Sequence, residues 1–346
     1  METIWFCLVA IMVAGYVVLD GFDLGAGAIH LCVARTDEER RRVFQSIGPV
    51  WNGNEVWLLA GGGTLYFAFP ELYSSGFSGF YLPLMVVLWL LILRGIAIEF
   101  RSHLQTLVWR PFWDVVFCGA SALLAIFFGA ALGNVVRGVP VGVSQPFFLP
   151  LWSSWSPHGD PGILDWFTVP VGVAALATLV NHGALWLIYK NTGPVQDRAR
   201  NVFRYSWPAV LALTILITLL SFNVQPHLAH AFAERPWGYV FPLLALAGLL
   251  GMRAFANSRN ELLPFLLSAL YIVGMLTSAV FGVYPYVLPP NSSTYSGLTV
   301  TNAATSEYAM QVALYWFVPG MLIAGAYFWY TYRMFAGKIQ ADGEGY

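Results

Sequence analysis

The segment Gly48-Pro-Val-Trp-Asn-Gly-Asn-Glu-Val-Trp-Leu58 opens an apolar run that continues to about Phe69 and is long enough to enter a bilayer. Three polar side chains, Asn52, Asn54 and Glu55, stand within this run between Trp51 and Trp57. An ionisable side chain at membrane depth is costly, so we expect Glu55 to face a protein interior or a water-filled path. In a helix, Asn52 and Glu55 lie three residues apart on one face.

A second apolar segment with carboxylates precedes this one, and reads Val18-Leu-Asp-Gly-Phe-Asp-Leu-Gly25. Asp20 and Asp23 are also three residues apart. They could serve a proton or cation path, or balance the charge of a cofactor or lipid headgroup. Alternatively, they could cap the helix end or pair with arginines of the following loop. The small residues between Gly21 and Ala28 favour close packing against a neighbouring helix.

The composition indicates a polytopic membrane protein. Of the 346 residues, 58% are hydrophobic and 10% are charged, whereas a soluble domain carries about 25% charged residues. We expect one integral membrane domain covering residues 1–346. The net charge of −1 gives no indication of a nucleic-acid partner. The N-terminus lacks the basic segment of a signal peptide, so its apolar segment is predicted to be a retained first helix.

Nine apolar segments are long enough to cross a membrane as helices, which predicts an all-α fold. They cover residues 3–29, 50–70, 77–99, 113–136, 164–189, 205–223, 237–254, 262–284 and 309–333. All of the 17 Lys and Arg residues except Arg137 and Arg235 fall on one side, if Arg94 is counted there. The excess of positive charge places that side in the cytoplasm. The N-terminus is therefore predicted to be outside and the C-terminus cytoplasmic, with ordered outer loops at 137–163 and 285–308.

The end of the third segment carries Arg94, Glu99 and Arg101. These residues are typical of a charged cluster that anchors a helix end at the inner face. Glu99 could also continue a polar path inward. Trp51 and Trp57 are interpreted as packing or interfacial residues in preference to redox relays.

The sequence offers no pattern for holding a metal or haem. The six histidines are His30, His103, His158, His182, His227 and His230. Only His182 lies well inside an apparent span, and a lone histidine there is more often a hydrogen-bonded structural residue than a ligand. The three cysteines lack a CxxC pair and are interpreted as small buried residues. No nucleophile, phosphate-binding or zinc motif is present, so no catalytic residue is predicted in this chain.

Several motifs together resemble one family. They are Asp20-Gly-Phe-Asp-Leu-Gly25, Glu39-Arg-Arg41, Trp51-x-Gly-Asn-x-Val-Trp-Leu58, Phe77-Ser-Gly-Phe-Tyr81 and Gly133-Asn-x-x-x-Gly-Val-Pro140. This set resembles subunit II of the cytochrome bd ubiquinol oxidases, including the cyanide-insensitive oxidases. The motifs lie in the first 140 residues, but the length and the nine predicted spans match the family over the whole chain.

The resemblance implies a subunit of a terminal oxidase in the aerobic respiratory chain of a bacterial inner membrane. The complex passes electrons from quinol to dioxygen, is electrogenic and makes water. Low-spin haem b, high-spin haem b and haem d are expected in subunit I, together with the quinol-oxidising loop. Subunit II is expected to be haem-free, with two four-helix bundles plus one further helix. The implied partners are subunit I, a small single-helix accessory subunit and membrane lipids.

The resemblance also implies roles for particular residues, since some members of the family contribute a proton route, an oxygen tunnel or a bound structural quinone. The proton-path candidates are Asp20, Asp23, Asn52, Glu55 and Glu99. Trp57 is the candidate for a dioxygen route, and Asp23 and Trp51 are candidates for contact with ubiquinone or another quinone. The family commonly has Asp at the position of Asn52. Since Asn does not exchange a proton with water, Glu55 is expected to compensate one helical turn later.

Two other readings follow from composition without the resemblance. In the first, the chain is a secondary transporter that couples ions through Asp20, Asp23 and Glu55. In the second, it is a membrane anchor without chemistry of its own. Co-purification separates these readings, because an oxidase subunit brings a second hydrophobic subunit and haem absorbance, whereas a transporter purifies alone and colourless.

Overall fold

The computed structural model describes residues 1–143, 147–157 and 159–339, and these residues are mostly helical. His158 lies outside the described residues. The first seven helices are α1 (Glu2–Ala28), α2 (His30–Val33), α3 (Asp37–Ile47), α4 (Trp51–Ala68), α5 (Pro70–Gly79), α6 (Tyr81–Phe100) and α7 (Trp109–Arg137). The remaining helices are α8 (Thr168–Lys190), α9 (Pro194–Val224), α10 (His227–Glu234), α11 (Val240–Ala254), α12 (Leu262–Val283) and α13 (Glu307–Met334).

Eight helical segments of the described chain are long and apolar enough to cross a membrane. They are α1, α6, α7, α8, α9, α12, α13 and the segment Pro236–Ala254, in which a 3-10 turn leads into α11. The expectation of a polytopic all-α membrane protein is confirmed. The second predicted segment forms α4, a helix of 18 residues. It is not among the eight, because Asn52, Asn54 and Glu55 lower its mean hydropathy.

Two predicted boundaries differ from the structure. The third predicted segment, 77–99, is divided between α5 and α6 by a break at Phe80. The helix α9 begins at Pro194, whereas the apolar segment was predicted to begin at 205. The length of an apolar segment gives only the part of a helix that fits inside a membrane. The helix continues beyond that part when its polar end is capped or solvated. Proline at the first helical position suits such a start because its missing N–H is not needed there.

The small-residue face of α1 makes the close helix crossing that the sequence predicted. A Cβ atom added at Gly25 would lie 1.8 Å from the carbonyl oxygen of Leu179 on α8. A Cβ atom added at Gly183 of α8 would lie 2.3 Å from the backbone nitrogen of Ala26. The two backbones therefore touch where neither helix carries a side chain, which brings α1 into the centre of the bundle.

The arginine-rich segment after α1 folds onto one end of the bundle. Thr36 and Glu39 form a capping box that starts α3: the Thr36 side chain accepts from the Glu39 N–H, and the Glu39 side chain accepts from the Thr36 N–H. Glu39 also accepts a hydrogen bond from Arg198 of α9 at 2.7 Å. This partner lowers the pKa of Glu39 to about 2. The segment is thereby fixed to α9.

At the opposite end, the glycine-asparagine motif after α7 organises the outer loops. Asn134 donates to the Ile163 carbonyl at 2.9 Å and accepts from Arg137 at 2.6 Å, while Arg137 also pairs with Asp165. Gly138 has φ +85°, and a Cβ atom there would lie 2.5 Å from the Pro290 carbonyl oxygen. A short antiparallel hairpin of β1 (Tyr286–Leu288) and β2 (Leu298–Thr299) lies in the loop that Gly138 contacts.

The prediction that the cysteines are buried is wrong for two of the three. Cys7 on α1 and Cys32 on α2 are exposed, and Cys118 on α7 is partly buried. Two of these thiols therefore lie on the outside of the bundle, where a membrane helix presents side chains to lipid or to a partner. All three cysteines are free.

Candidate functional site

An ion pair buried among three helices forms the centre of the candidate site. Arg94 of α6 donates to both carboxylate oxygens of Asp20 on α1, at 2.7 and 2.5 Å. Both side chains are fully buried. Arg94 stands six residues before the end of α6, so the expectation that it anchors the helix end at the inner face is wrong. It enters the bundle because Asp20 supplies the matching planar acceptor for its guanidinium.

Glu55 of α4 approaches the same guanidinium from a third helix. Its carboxylate oxygen lies 3.8 Å from Arg94 Nη2, which is an ion pair without a hydrogen bond. About a quarter of its side chain is exposed, whereas Asp20 is completely enclosed. One arginine thus serves two carboxylates, one held tightly and one held loosely at the bundle surface.

Asp23 extends the site toward the last helix through a chain of hydrogen bonds. Asn54 of α4 donates to Asp23 at 2.8 Å and to the Leu19 carbonyl at 3.1 Å. Tyr332 of α13 donates to the Asn54 side-chain oxygen at 2.7 Å. The second carboxylate oxygen of Asp23 is buried and has no partner within the described residues. The chain Tyr332–Asn54–Asp23 therefore connects α13, α4 and α1.

The charges of this site do not balance if every group is ionised. Asp20, Asp23 and Glu55 would carry three negative charges around the single positive charge of Arg94. A buried charge without a partner costs on the order of several kcal/mol, so proteins neutralise such a charge. Asp20 and Glu55 both face Arg94, so Asp23 is the carboxyl of this group without a cation partner among the described residues.

The structure does not bring all sequence-predicted residues into this site. Asn52 is exposed on α4, although it is three residues from Glu55. The amide that contacts Asp23 belongs to Asn54, which is fully buried. Glu99 is exposed near the end of α6 and has no contact with the other carboxylates. Asp20, Asp23 and Glu55 are the three proton-path candidates that lie together.

The two tryptophans of the α4 motif occupy packing positions on different sides of the helix. Trp57 lies over Gly15 of α1, whose added Cβ would be 2.7 Å from the ring, and contacts Phe328 of α13 at a centroid distance of 5.5 Å. Its indole N–H is buried without a partner in the described chain. Trp51 is buried and its ring lies within 4 Å of the position of a Cβ at Gly95 on α6. Trp51 and Trp57 thus hold α4 against three neighbours.

A second buried charge cluster lies at the end of the bundle that holds the arginine-rich segment. Asp114 of α7 accepts hydrogen bonds from His30 at 2.9 Å, Arg40 at 2.9 Å and Arg101 at 2.6 Å. Arg101 also reaches Asp37, which starts α3. The predicted charged cluster at the end of the third segment thus exists around Arg101. It is tied to loop residues and to Asp114, with the character of a structural clamp.

The histidine inside the bundle is a hydrogen-bonded structural residue. His182 of α8 contacts the Ser268 hydroxyl at 2.6 Å and the Val18 carbonyl at 3.0 Å, and its ring stacks on Phe265. Both ring nitrogens are thereby occupied by protein partners. Within the described residues, no group of three or more His, Cys, Asp or Glu side chains could hold a metal ion.

Comparison with known proteins places this arrangement in a family. The family model described as "Cytochrome bd terminal oxidase subunit II" matches residues 1–335. The chain belongs to this family. It is 30% identical to a probable cytochrome oxidase subunit 2 of Haemophilus influenzae, over 98% of this chain and 95% of that protein. It is 28% identical to the cytochrome bd-I ubiquinol oxidase subunit 2 of Escherichia coli K12, over 99% and 96%.

A solved structure supports the fold. The structure of bd oxidase from Geobacillus thermodenitrificans matches with a TM-score of 0.75 and 17% identity, over 96% of this chain and 98% of that chain. The chain is therefore a multi-pass membrane subunit II of a cytochrome bd-type oxidase, whose partner is subunit I and whose complex contains haem. The transporter reading is not favoured.

Sequence reasoning missed the residues that connect the carboxylates. Arg94 carried a usable signal, because an arginine inside an apolar segment needs an acidic partner and Asp20 was available. Asn54 stood in the quoted motif but was not distinguished from Asn52. Tyr332 gave no signal, since it contacts Asn54 across 278 residues of sequence. Asp114 was missed because it lies at the start of an otherwise apolar segment.

Proposed function

We propose that this chain is the haem-free subunit of a bacterial inner-membrane quinol:dioxygen oxidoreductase and that it conducts protons to the haem-bearing subunit. The single observation that carries the proton role is the group of three carboxyls around Arg94, with Glu55 reaching the bundle surface. Reduction of dioxygen to water consumes protons that the bilayer excludes. A proton route needs groups that can bind and release a proton, at distances bridged by hydrogen bonds or water.

The exposed side of α4 supports a docking place for subunit I. Asn52 is exposed and Glu55 is partly exposed on this side, beside apolar residues such as Leu59, which is 73% exposed. A carboxylate at membrane depth is tolerated when protein or water covers it, but not when lipid covers it. The neighbouring α13 buries none of its most apolar window within this chain. A protein partner over α4 and α13 would cover the polar groups and the apolar ones together.

The roles of the three clustered carboxylates follow from how tightly each is held. Asp20 is fixed by two short hydrogen bonds to Arg94, so it serves to keep the arginine in place. Glu55 has a single longer contact and access to the surface, which suits a group that exchanges protons with the partner or with water. Asp23 is the inner site, linked through Asn54 to α13. Asn52 orients a water at the surface, whereas Glu99, the reserve candidate of the sequence, stands exposed outside this cluster and is assigned no part in the route.

The remaining family expectations form part of the same proposal. We infer nine membrane helices, namely the eight apolar segments described above and α4. They are arranged as two four-helix bundles plus α13, in one domain over residues 1–346. The N-terminus lies outside and the C-terminus in the cytoplasm, in agreement with the distribution of Lys and Arg. Low-spin haem b, high-spin haem b and haem d belong to subunit I, and a small single-helix subunit accompanies the pair.

Two further sites belong to the proposal. Trp57, between α1 and α13, borders the route by which dioxygen reaches the haems of subunit I, since an apolar gas needs an apolar corridor. Trp51 of α4 and Asp23 of α1 flank the place of a structural quinone, ubiquinone or another, because Asn54 ties Asp23 to the turn of α4 that begins at Trp51. The indole of Trp51 offers an aromatic surface, and Asp23 offers an unused carboxylate oxygen.

Replacement of Glu55 by Gln tests the proton role. Gln keeps the shape and most hydrogen bonding but removes the titratable group, so packing should change little. We expect quinol-driven oxygen consumption of the assembled, haem-replete complex to fall at least about tenfold, as for loss of a proton-transfer group. Asn52→Ala should reduce it less than about twofold, because an amide carries no proton. Proton uptake in proteoliposomes should fall in parallel with turnover.

The matched control is Glu99→Gln, which removes an exposed carboxylate of α6 outside the cluster. This variant should retain full turnover, because Glu99 has no contact with the Arg94 cluster and is assigned no part in the route. Full activity and full proton uptake in Glu55→Gln would show that the route lies elsewhere, in subunit I, and that this chain is structural support. Equal loss in Glu55→Gln and Glu99→Gln would point to a general effect of surface charge.

A further inference from the structure

A cavity of about 520 Å³ opens at the end of the bundle that carries the arginine-rich segment. It lies between α2 and the first turns of α9, away from the Asp20–Arg94 pair. Arg35 and Arg198 line it together with the polar side chains of Asn201, Tyr205 and Ser206. Two guanidinium groups beside hydroxyl and amide groups form a surface that suits a phosphate.

The charge of this cavity is positive after its internal ion pair is counted. Arg198 is paired with Glu39 at 2.7 Å, and the low pKa of Glu39, about 2, keeps that carboxylate ionised. Arg35 is exposed, and its side chain forms no ion pair in the described part of the chain. One positive charge is therefore left over at the cavity mouth. An anion bound there would balance the positive charge of Arg35.

The wall of the cavity continues as an apolar stripe along α9. Asn201 and Tyr205 are exposed, and the next exposed positions at helical spacing are Pro208, Ala212, Ile215 and Leu219. Ile215 is 54% exposed and Leu219 is 61% exposed. The ten residue steps from Tyr205 to Ile215 rise about 15 Å, which is half the thickness of a bilayer hydrocarbon core. The stripe is therefore as long as one leaflet.

We propose that this cavity binds the phosphate headgroup of an anionic phospholipid, with Arg35 and Arg198 on the phosphate and an acyl chain along the exposed stripe of α9. The phosphate chemistry alone would also fit a free phosphate ion. The apolar stripe favours a lipid, because a free phosphate ion would make no contact with an apolar surface that begins at its binding site. Tyr205, which is 75% exposed, lies where a headgroup meets the acyl region, a position aromatic residues favour.

The test uses the assembled complex of this chain with subunit I. The purified complex is delipidated in detergent, dioleoyl phosphatidylglycerol is titrated in, and native mass spectrometry counts the lipids retained. We expect Arg35→Gln to weaken binding of the tightest lipid about fivefold, the effect of removing one cationic group beside an anionic surface. Arg204→Gln removes another exposed arginine of α9 that does not line the cavity, and should leave binding unchanged.

A second variant covers the case in which Arg35→Gln disturbs the loop. Asn201→Asp places a negative charge in the cavity wall without touching Arg35, and should weaken lipid binding by at least as much. Equal loss in Arg204→Gln would overturn the proposal, because it would show an unspecific response to basic charge. Displacement of the lipid by millimolar inorganic phosphate, with no dependence on the acyl chain, would assign the site to a free anion. Full binding in both cavity variants would also overturn it.

Discussion

Removal of Arg94 should destabilise the subunit more than removal of its partner Asp20. Arg94→Gln leaves Asp20 fully buried with no other cation in contact among the described residues. Breaking a buried ion pair in this way costs about 3–5 kcal/mol. Asp20→Asn is different, because Arg94 keeps Glu55 at 3.8 Å as a second carboxylate. Its cost should be smaller, about 1–3 kcal/mol, the penalty for an imperfectly satisfied buried group.

The double variant Asp20→Asn/Arg94→Gln separates the pair from its surroundings. Two amides can hydrogen-bond to each other where the ion pair stood, and no charge is left without a partner. Its cost should therefore fall below the sum of the single variants by at least about 2 kcal/mol. The assay is unfolding of the purified complex by increasing mole fraction of SDS, followed by far-UV circular dichroism and by retention of haem absorbance.

Glu99→Gln provides the baseline for this experiment, since an exposed side chain outside the cluster should change stability by less than about 0.5 kcal/mol. The reasoning is refuted if Arg94→Gln is as mild as Glu99→Gln. It is also refuted if Asp20→Asn costs more than Arg94→Gln, because Glu55 would then contribute nothing to Arg94. Strict additivity in the double variant would show that the two side chains do not interact in the assembled complex.

Three further changes test other parts of the structure. Trp57→Ala should open space between α1 and α13. It should change the apparent KM for dioxygen without changing the apparent KM for quinol. Oxygen kinetics equal to those of the wild type in a fully assembled variant would exclude Trp57 from the dioxygen route. Gly25→Ala places a methyl 1.8 Å from the Leu179 carbonyl oxygen, so α1 and α8 must separate at a cost of about 1–3 kcal/mol or more, which should appear as a lower yield of assembled complex. The low pKa of Glu39, about 2 against an ordinary 4.5, means that its contribution to stability is complete above about pH 4.5 and declines as the pH falls toward 2. The stability difference between wild type and Glu39→Gln should therefore stay constant from pH 8 to 5 and shrink below pH 4.5 in thermal melts, whereas a constant difference down to pH 3 would contradict the ion pair.

The membrane architecture was predictable because it depends on length and polarity, which the sequence displays directly. The apolar segments gave the helices, and the small residues around Gly25 predicted the close crossing with a neighbour. The polar groups Asp20, Asp23 and Glu55 were predictable as site candidates for the same reason. Each is conspicuous in an apolar segment, and its cost requires a partner.

The partners themselves were less accessible, because pairing is a property of the tertiary structure. Asp20 and Arg94 are 74 residues apart, and Tyr332 and Asn54 are 278 residues apart. The choice between Asn52 and Asn54 shows the limit most clearly. Two residues apart on a helix, they point in nearly opposite directions, so one must face α1 when the other faces away. Without knowledge of which side of α4 meets α1, the spacing from Glu55 favoured the wrong asparagine.

The geometry also divides the carboxylates that the sequence presented as equivalent candidates. A proton carrier must gain and lose its proton without breaking the contacts that hold the site together, and Asp20 has both oxygens hydrogen-bonded to the Arg94 guanidinium. Asp20 therefore fixes Arg94, and Arg94 Nη2 also faces the Glu55 carboxylate. Because the 3.8 Å contact is loose and Glu55 is partly exposed, the proposed protonation of Glu55 would release that contact without breaking the Asp20–Arg94 pair. A carboxylate at the position of Asn52 would lie on the exposed side of α4, whereas Glu55 lies within reach of the buried arginine. Replacing Asp20 should accordingly reduce the amount of assembled complex, while replacing Glu55 should reduce turnover in a complex that still assembles. The opposite pattern would assign proton exchange to Asp20 and leave Glu55 as the structural partner.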